Sequence, residues 1–278
     1  MKRKNRHIME AMGMTRIVIE DEKVVEVGQP KLSYCPLFFK YRKIEEMTPE
    51  TIRENIQFRI DDFGMCSPRR KLRMRDFLSF GISEVLAMCV EDDILDCGVI
   101  VCDGAGTVVI SDPEIIQGIG GRISGLVETS PIPEVIGAIG EERVLDSSSA
   151  RIDQIDGVKL AWKLGNERIG VTVARADDAR GIREMYGKDI VIFAVHTTGV
   201  SHDEANILFD NCDVITACAS RPIREIGRIR SLYTVGTKIP IYAATEVGAN
   251  IMRRRMEKIG KIRSKEYVEE PDPPRPLL

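Results

Sequence analysis

The sequence predicts an α/β fold: a mostly parallel sheet with helices on both faces, plus a smaller N-terminal lobe made of a β-hairpin and helices. Three observations predict it. After residue 151, short Val- and Ile-rich runs alternate with amphipathic stretches of helical period. The strands near Arg168, Ile190 and Cys212 start about 22 residues apart, the length of one strand, one helix and two short loops. Each run is apolar throughout, as a strand covered on both faces must be. The chain accordingly divides into a lobe of residues 1–94, an α/β domain of residues 95–264 and a proline-rich tail of residues 265–278.

Taken in order, the runs Met14–Glu20 and Lys23–Gly28 are β-branched and separated by Asp21-Glu22, a hairpin signal. Residues 31–43 read as an irregular connection. Thr48-Pro49-Glu50 is a cap followed by proline, and Ile52, Ile56 and Ile60 place an amphipathic helix up to Phe63, closed by Gly64. A second helix is expected over Met74–Val90. Cys97–Cys102 and Thr107–Ile110 are strands flanking the tight turn Asp103-Gly-Ala-Gly106. Thereafter helices are expected over 153–164 and 177–186 and after Ser201, Pro222 and Thr245, with strands at 168–173, 189–195, 212–218 and 239–243. Ser201 and Glu204 have the spacing of a capping box, so the helix after His196-Thr-Thr-Gly199 has a defined start. The tail is expected to be disordered or to lie on a neighbouring molecule.

Parallel strands with right-handed crossovers deliver their carboxyl ends to one rim, where ligands of open α/β sheets bind. The residues expected there are Asp103, Gly104 and Gly106, then His196, Thr197 and Thr198, then Cys218, Ser220 and Arg221, and finally Glu246. Imidazole titrates near neutral pH, so His196 suits acid/base work or metal ligation; a hydrogen-bonded histidine at a strand end is the plainer reading. Cys218 precedes a helix and suits a nucleophile, although free cysteine is also a common small core residue. Asp103 and Glu246 would be charge partners. The glycine-crowded segment Gly118-Ile-Gly120-Gly121-Arg122-Ile-Ser124 could cradle an anion through its amides, Arg122 and Ser124, or could simply be a turn.

Composition narrows the functional classes. Of 278 residues, 30% are charged and 43% hydrophobic, as in an ordinary globular protein. The net charge of −3 argues against nucleic-acid binding, which needs a basic face. No apolar run has the length of a membrane span, and the basic start Met1–His7 lacks the apolar stretch of an export signal, so a cytoplasmic protein is expected. Seven cysteines, an odd number with no C-x-x-C pair, point to reduced thiols, and no metal site is signalled by spacing.

Several segments carry a resemblance. They are His7–Arg16, Tyr34-Cys-Pro-Leu37, Cys102–Thr107, Gln117–Gly125, Thr129–Pro133, Val195–Gly199 and Thr216–Ser220. Together they resemble methanogenesis marker protein 8, an archaeal family without an assigned mechanism, over nearly the whole chain apart from the tail. The resemblance implies a setting in methane-producing archaea and no catalytic residues. The expected function is thus an enzyme or maturation factor serving methanogenesis, binding a small anionic or cofactor-like ligand at the rim, its cofactor unknown. There His196 would act as acid/base, Cys218 as nucleophile or ligand, and Arg122 and Arg221 as holders of the anion. The alternatives are a non-catalytic assembly subunit for a methanogenic complex such as methyl-coenzyme M reductase, and a metal carrier using Cys102 and Cys218. Self-association is compatible with either.

Overall fold

The computed structural model describes residues 5–75, 80–122, 125–260 and 272–278. Its centre is a seven-stranded mixed sheet. In sequence order its strands are β4 (Cys97–Cys102), β5 (Gly106–Ile110), β7 (Ile169–Val173), β8 (Ile190–Ala194), β9 (Val214–Thr216), β10 (Tyr233–Val235) and β11 (Ile241–Ala243). In space the order is β10-β11-β9-β8-β7-β4-β5. The inner pairs β4–β7, β7–β8 and β8–β9 are parallel. The outer pairs β4–β5, β9–β11 and β10–β11 are antiparallel. The expectation of a mostly parallel sheet is therefore corrected to a parallel centre with antiparallel flanks.

Helices cover both faces, as the unbroken apolar strands require. On one face lie α3 (Ile82–Glu91), α4 (Pro113–Gly120), α5 (Pro133–Ile139) and α10 (Glu246–Lys258), packed on Ile100, Val108, Phe193 and Val214. On the other lie α6 (Gln154–Lys163), α7 (Ala176–Tyr186), α8 (His202–Asn211) and α9 (Arg221–Arg230), packed on Val99, Val171, Ile192 and Ile215. Burial of these side chains, at ~25 cal/mol per Å² of apolar surface, holds the layers together. Gly170 lies where an added Cβ would meet Leu86 and Phe193, so glycine lets α3 approach the sheet.

A second, antiparallel sheet has the order β3-β2-β1-β6, from β1 (Arg6–Ala11), β2 (Thr15–Glu20), β3 (Lys23–Val27) and β6 (Gly125–Thr129). The β2–β3 hairpin is as expected. Strand β1, which the charges around it disguised as a loose terminus, is the inner strand between β2 and β6. Helix α2 (Pro49–Phe63) packs Ile52, Ile56 and Ile60 beneath this sheet and carries a full Thr48–Thr51 capping box. A short helix, α1 (Pro36–Arg42), occupies the connection read as irregular. Residues 70–75 precede α3 without helical structure, so that helix is shorter at its start than expected; residues 76–79 lie outside the described ones.

The end of the tail lies on its own chain rather than on a neighbour. Arg275 pairs with Tyr34, and the Leu278 amide donates to the Ala219 carbonyl at 2.9 Å.

Candidate functional site

The carboxyl ends of β8 and β9 form two facing turns. The chain reverses at His196 (φ 55°), Gly199 (φ 80°) and Cys218 (φ 45°), a backbone region that side chains other than glycine rarely enter. Two bonds join the turns: the Thr197 hydroxyl donates to the Thr216 carbonyl at 2.5 Å, and the Ala219 amide donates to Thr198 Oγ1 at 3.2 Å. The backbone amides of His196 and Thr197 lie near the Cys218 sulfur and favour its ionised form. Burial raises the thiol's pKa and these donors oppose the rise. Six of the seven cysteines are buried; Cys218 is partly exposed.

His196 stands beside that thiol's amide cradle. It is an exposed residue of its turn, and β6 lies across from its ring, with an added Cβ on Gly125 falling 3.8 Å from Cγ. Met14 covers Gly199 in the same way. The imidazole thus lies against β6, and burial lowers its pKa to about 4. It is neutral at pH 7. Cys35, from the segment before α1, is buried close enough to Cys218 to interact electrostatically.

Other expected site residues are placed elsewhere. Asp103 is fully buried and faces inward: its carboxylate accepts from the Cys66 amide at 2.6 Å and from Arg70 Nε at 3.0 Å. The Gly104 amide donates to Thr129 Oγ1 at 2.8 Å, and Gly106 (φ 72°) passes so close to Ala150 that an added Cβ would lie 2.2 Å from its carbonyl oxygen. This turn is fully bonded to protein. Glu246 is on the opposite edge, because β11 runs antiparallel to β9; Thr245 caps α10 there and donates to Asp213 Oδ1 at 2.7 Å. The expected grouping of Glu246 with His196 is therefore corrected. Gly120 ends α4 and Gly121 caps it, and the Arg122 guanidinium stacks 3.7 Å above the Phe63 ring. Ser124 lies outside the described residues. Ser220 is buried and caps α9, and the Arg221 amide donates to the Leu278 carbonyl at 2.6 Å. Cys102 sits among Asp103, Arg70 and Cys66 rather than beside Cys218.

Residues 7–257 match an archaeal family described as an uncharacterised protein conserved in archaea, DUF2099. The chain belongs to that family. An uncharacterised protein of Methanocaldococcus jannaschii is 42% identical to it over 263 residues, 93% of each chain.

Two residues of this DUF2099 chain that its sequence did not single out complete the picture. Arg224 is 7% exposed on the inner side of α9; its Nη2 donates to the carbonyls of Cys218 and Lys238 at 2.8 and 2.6 Å. An arginine at the third position after Arg221, flanked by Ile223 and Ile226 on a buried stripe, was the available signal. His7 is fully buried, with Nδ1 2.6 Å from Thr129 Oγ1. Burial lowers its pKa to about 4, against the opposing pull of Asp103 and Glu128.

The sign of the resulting pH dependence follows. Between pH 6.5 and about 4 the unfolded chain binds a proton at His7 that the folded chain does not. Stability present above pH 6.5 is therefore lost as pH falls toward 4, by about 2 kcal/mol from pH 7 to 5 for this one residue. Urea unfolding at the two pH values is expected to show that loss together with a similar one from His196, and His7→Gln to remove its own share; an unchanged slope in His7→Gln would contradict the assignment.

Among the described residues no group of three or more His, Cys, Asp or Glu side chains is placed to hold a metal ion, and no helix is long and apolar enough to cross a membrane. Open surface depressions flank α2, one lined by Arg53, Gln57, Phe58 and Asp61. They lack a thiol and an imidazole, so the facing turns at His196 and Cys218 are the better chemical candidate.

Proposed function

We propose that this archaeal protein is a cytoplasmic enzyme or maturation factor serving methanogenesis, which binds a small anionic or cofactor-like ligand at the facing turns 196–199 and 217–220. One observation carries the reading. A partly exposed thiol, Cys218, has the backbone amides of His196 and Thr197 near its sulfur, beside the neutral imidazole of His196. A thiol is a weak acceptor and a thiolate a strong one, so such a cradle complements a sulfur that attacks or ligates. With its pKa near 4, His196 is not an imidazolium donor at neutral pH and would act as a neutral hydrogen-bonding group or weak base. Resemblance to methanogenesis marker protein 8 and the relative from Methanocaldococcus jannaschii support the metabolic setting.

Iodoacetamide is expected to label Cys218 before the six buried cysteines in the native protein, read by peptide mass spectrometry. Native mass spectrometry of anaerobically purified protein is expected to show a bound small molecule that Cys218→Ser and His196→Ala lose at least tenfold. A wild-type protein free of ligand, together with normal growth of a methanogen carrying Cys218→Ser, would overturn the proposal.

A further inference from the structure

Buried charges in folded proteins are paired, because an isolated ion loses its hydration without compensation. Arg70 obeys this rule through Asp103, and the less buried Arg183 through Asp213. Arg224 does not. Among the described residues it forms no ion pair, and its buried Nε has no hydrogen-bond partner. Its Nη2 holds two carbonyls, one of them that of Cys218 itself. The ionisable groups facing the guanidinium are the Tyr242 hydroxyl, the Cys218 thiol and another cation, Arg228. Tyr242 is 4% exposed, and burial raises its pKa, so it stays neutral. Around Cys218, the other titratable groups are the neutral His196 and the buried thiol of Cys35. Among the described residues, Cys218 is thus the group best able to supply a negative charge to Arg224.

We infer that Arg224 is a positioning residue for Cys218: it fixes the left-handed Cys218 peptide through its carbonyl and provides the buried positive charge against which the sulfur reacts as a thiolate. This deepens the reading of Cys218 as the reactive group and rests on it. The backbone amides of His196 and Thr197 near the sulfur would then help to satisfy the lone pairs that ionisation exposes.

The test is the rate of iodoacetamide labelling at Cys218 between pH 6 and 10 in wild-type protein, Arg224→Lys and Arg224→Met, with Cys218→Ser as the blank. Arg224→Met is expected to move the midpoint up by at least one pH unit, so labelling below the midpoint slows about tenfold. Arg224→Lys keeps the charge and is expected to stay within about threefold of wild type, which a purely structural role for the side chain would not predict. Superimposable profiles for wild type and Arg224→Met would overturn the assignment. If Arg224→Met does not fold, a tenfold or greater slowing in folded Arg224→Lys would overturn it instead. Failure of Cys218 to label at any pH would strike the underlying reading, and is distinguishable from an Arg224 effect.

Discussion

Asp103→Asn is expected to cost about 3–5 kcal/mol of stability, the usual penalty for breaking a buried ion pair by removing one partner. Both side chains of the Asp103–Arg70 pair are fully shielded from solvent. The Asp103 carboxylate also accepts the Cys66 amide, while Arg70 donates to the carbonyls of Lys71 and Gly118 at 2.9 and 3.1 Å. An amide at 103 leaves the guanidinium charged and uncompensated. Urea denaturation measures the loss, and a change below about 1 kcal/mol would show that the pair is not integral. The double replacement Asp103→Leu with Arg70→Met is expected to recover much of it, since no orphan charge remains.

Gly118→Ala should be nearly as damaging, at or above the upper end of the roughly 1–3 kcal/mol that overpacking costs. An added Cβ at this position would lie 1.8 Å from the Leu72 carbonyl oxygen, and a backbone atom cannot swing away as a side chain can. Ordinarily, alanine strengthens a helix relative to glycine by up to about 1 kcal/mol, so the sign of the result discriminates. A thermal melt showing a stabilised Gly118→Ala would mean that the segment at Leu72 does not press on α4.

These two positions show where sequence reading succeeded and where it stopped. The strand–turn–helix at 189–204 was legible in full, because a buried parallel strand and a capping box each leave a local pattern. The glycines at 118–121 were ambiguous: close backbone packing and anion binding both require a missing side chain, and only the partner reveals which. Asp103 was recognised as special without its reason, since Arg70 belongs to a segment 33 residues away. Glu246 was misplaced because β10, only three residues long, went unseen. The chain leaves α9 into β10 and returns by a hairpin into β11, which reverses the direction of the last strand. The burial of His7 was not legible, because β6, which pairs with its strand, is more than a hundred residues downstream.

The pairing of β6 with β1 ties together parts of the polypeptide that composition would separate. A fragment ending before β4 would lack β6, leaving β1 as an open edge with unsatisfied amides and carbonyls, an invitation to aggregate. The seven-stranded remainder, cut at the same place, would lose α3 and expose Leu86-facing apolar surface. Residues 125–129 must therefore be in place before the sheet begun at residue 6 has both its edges as in the native fold.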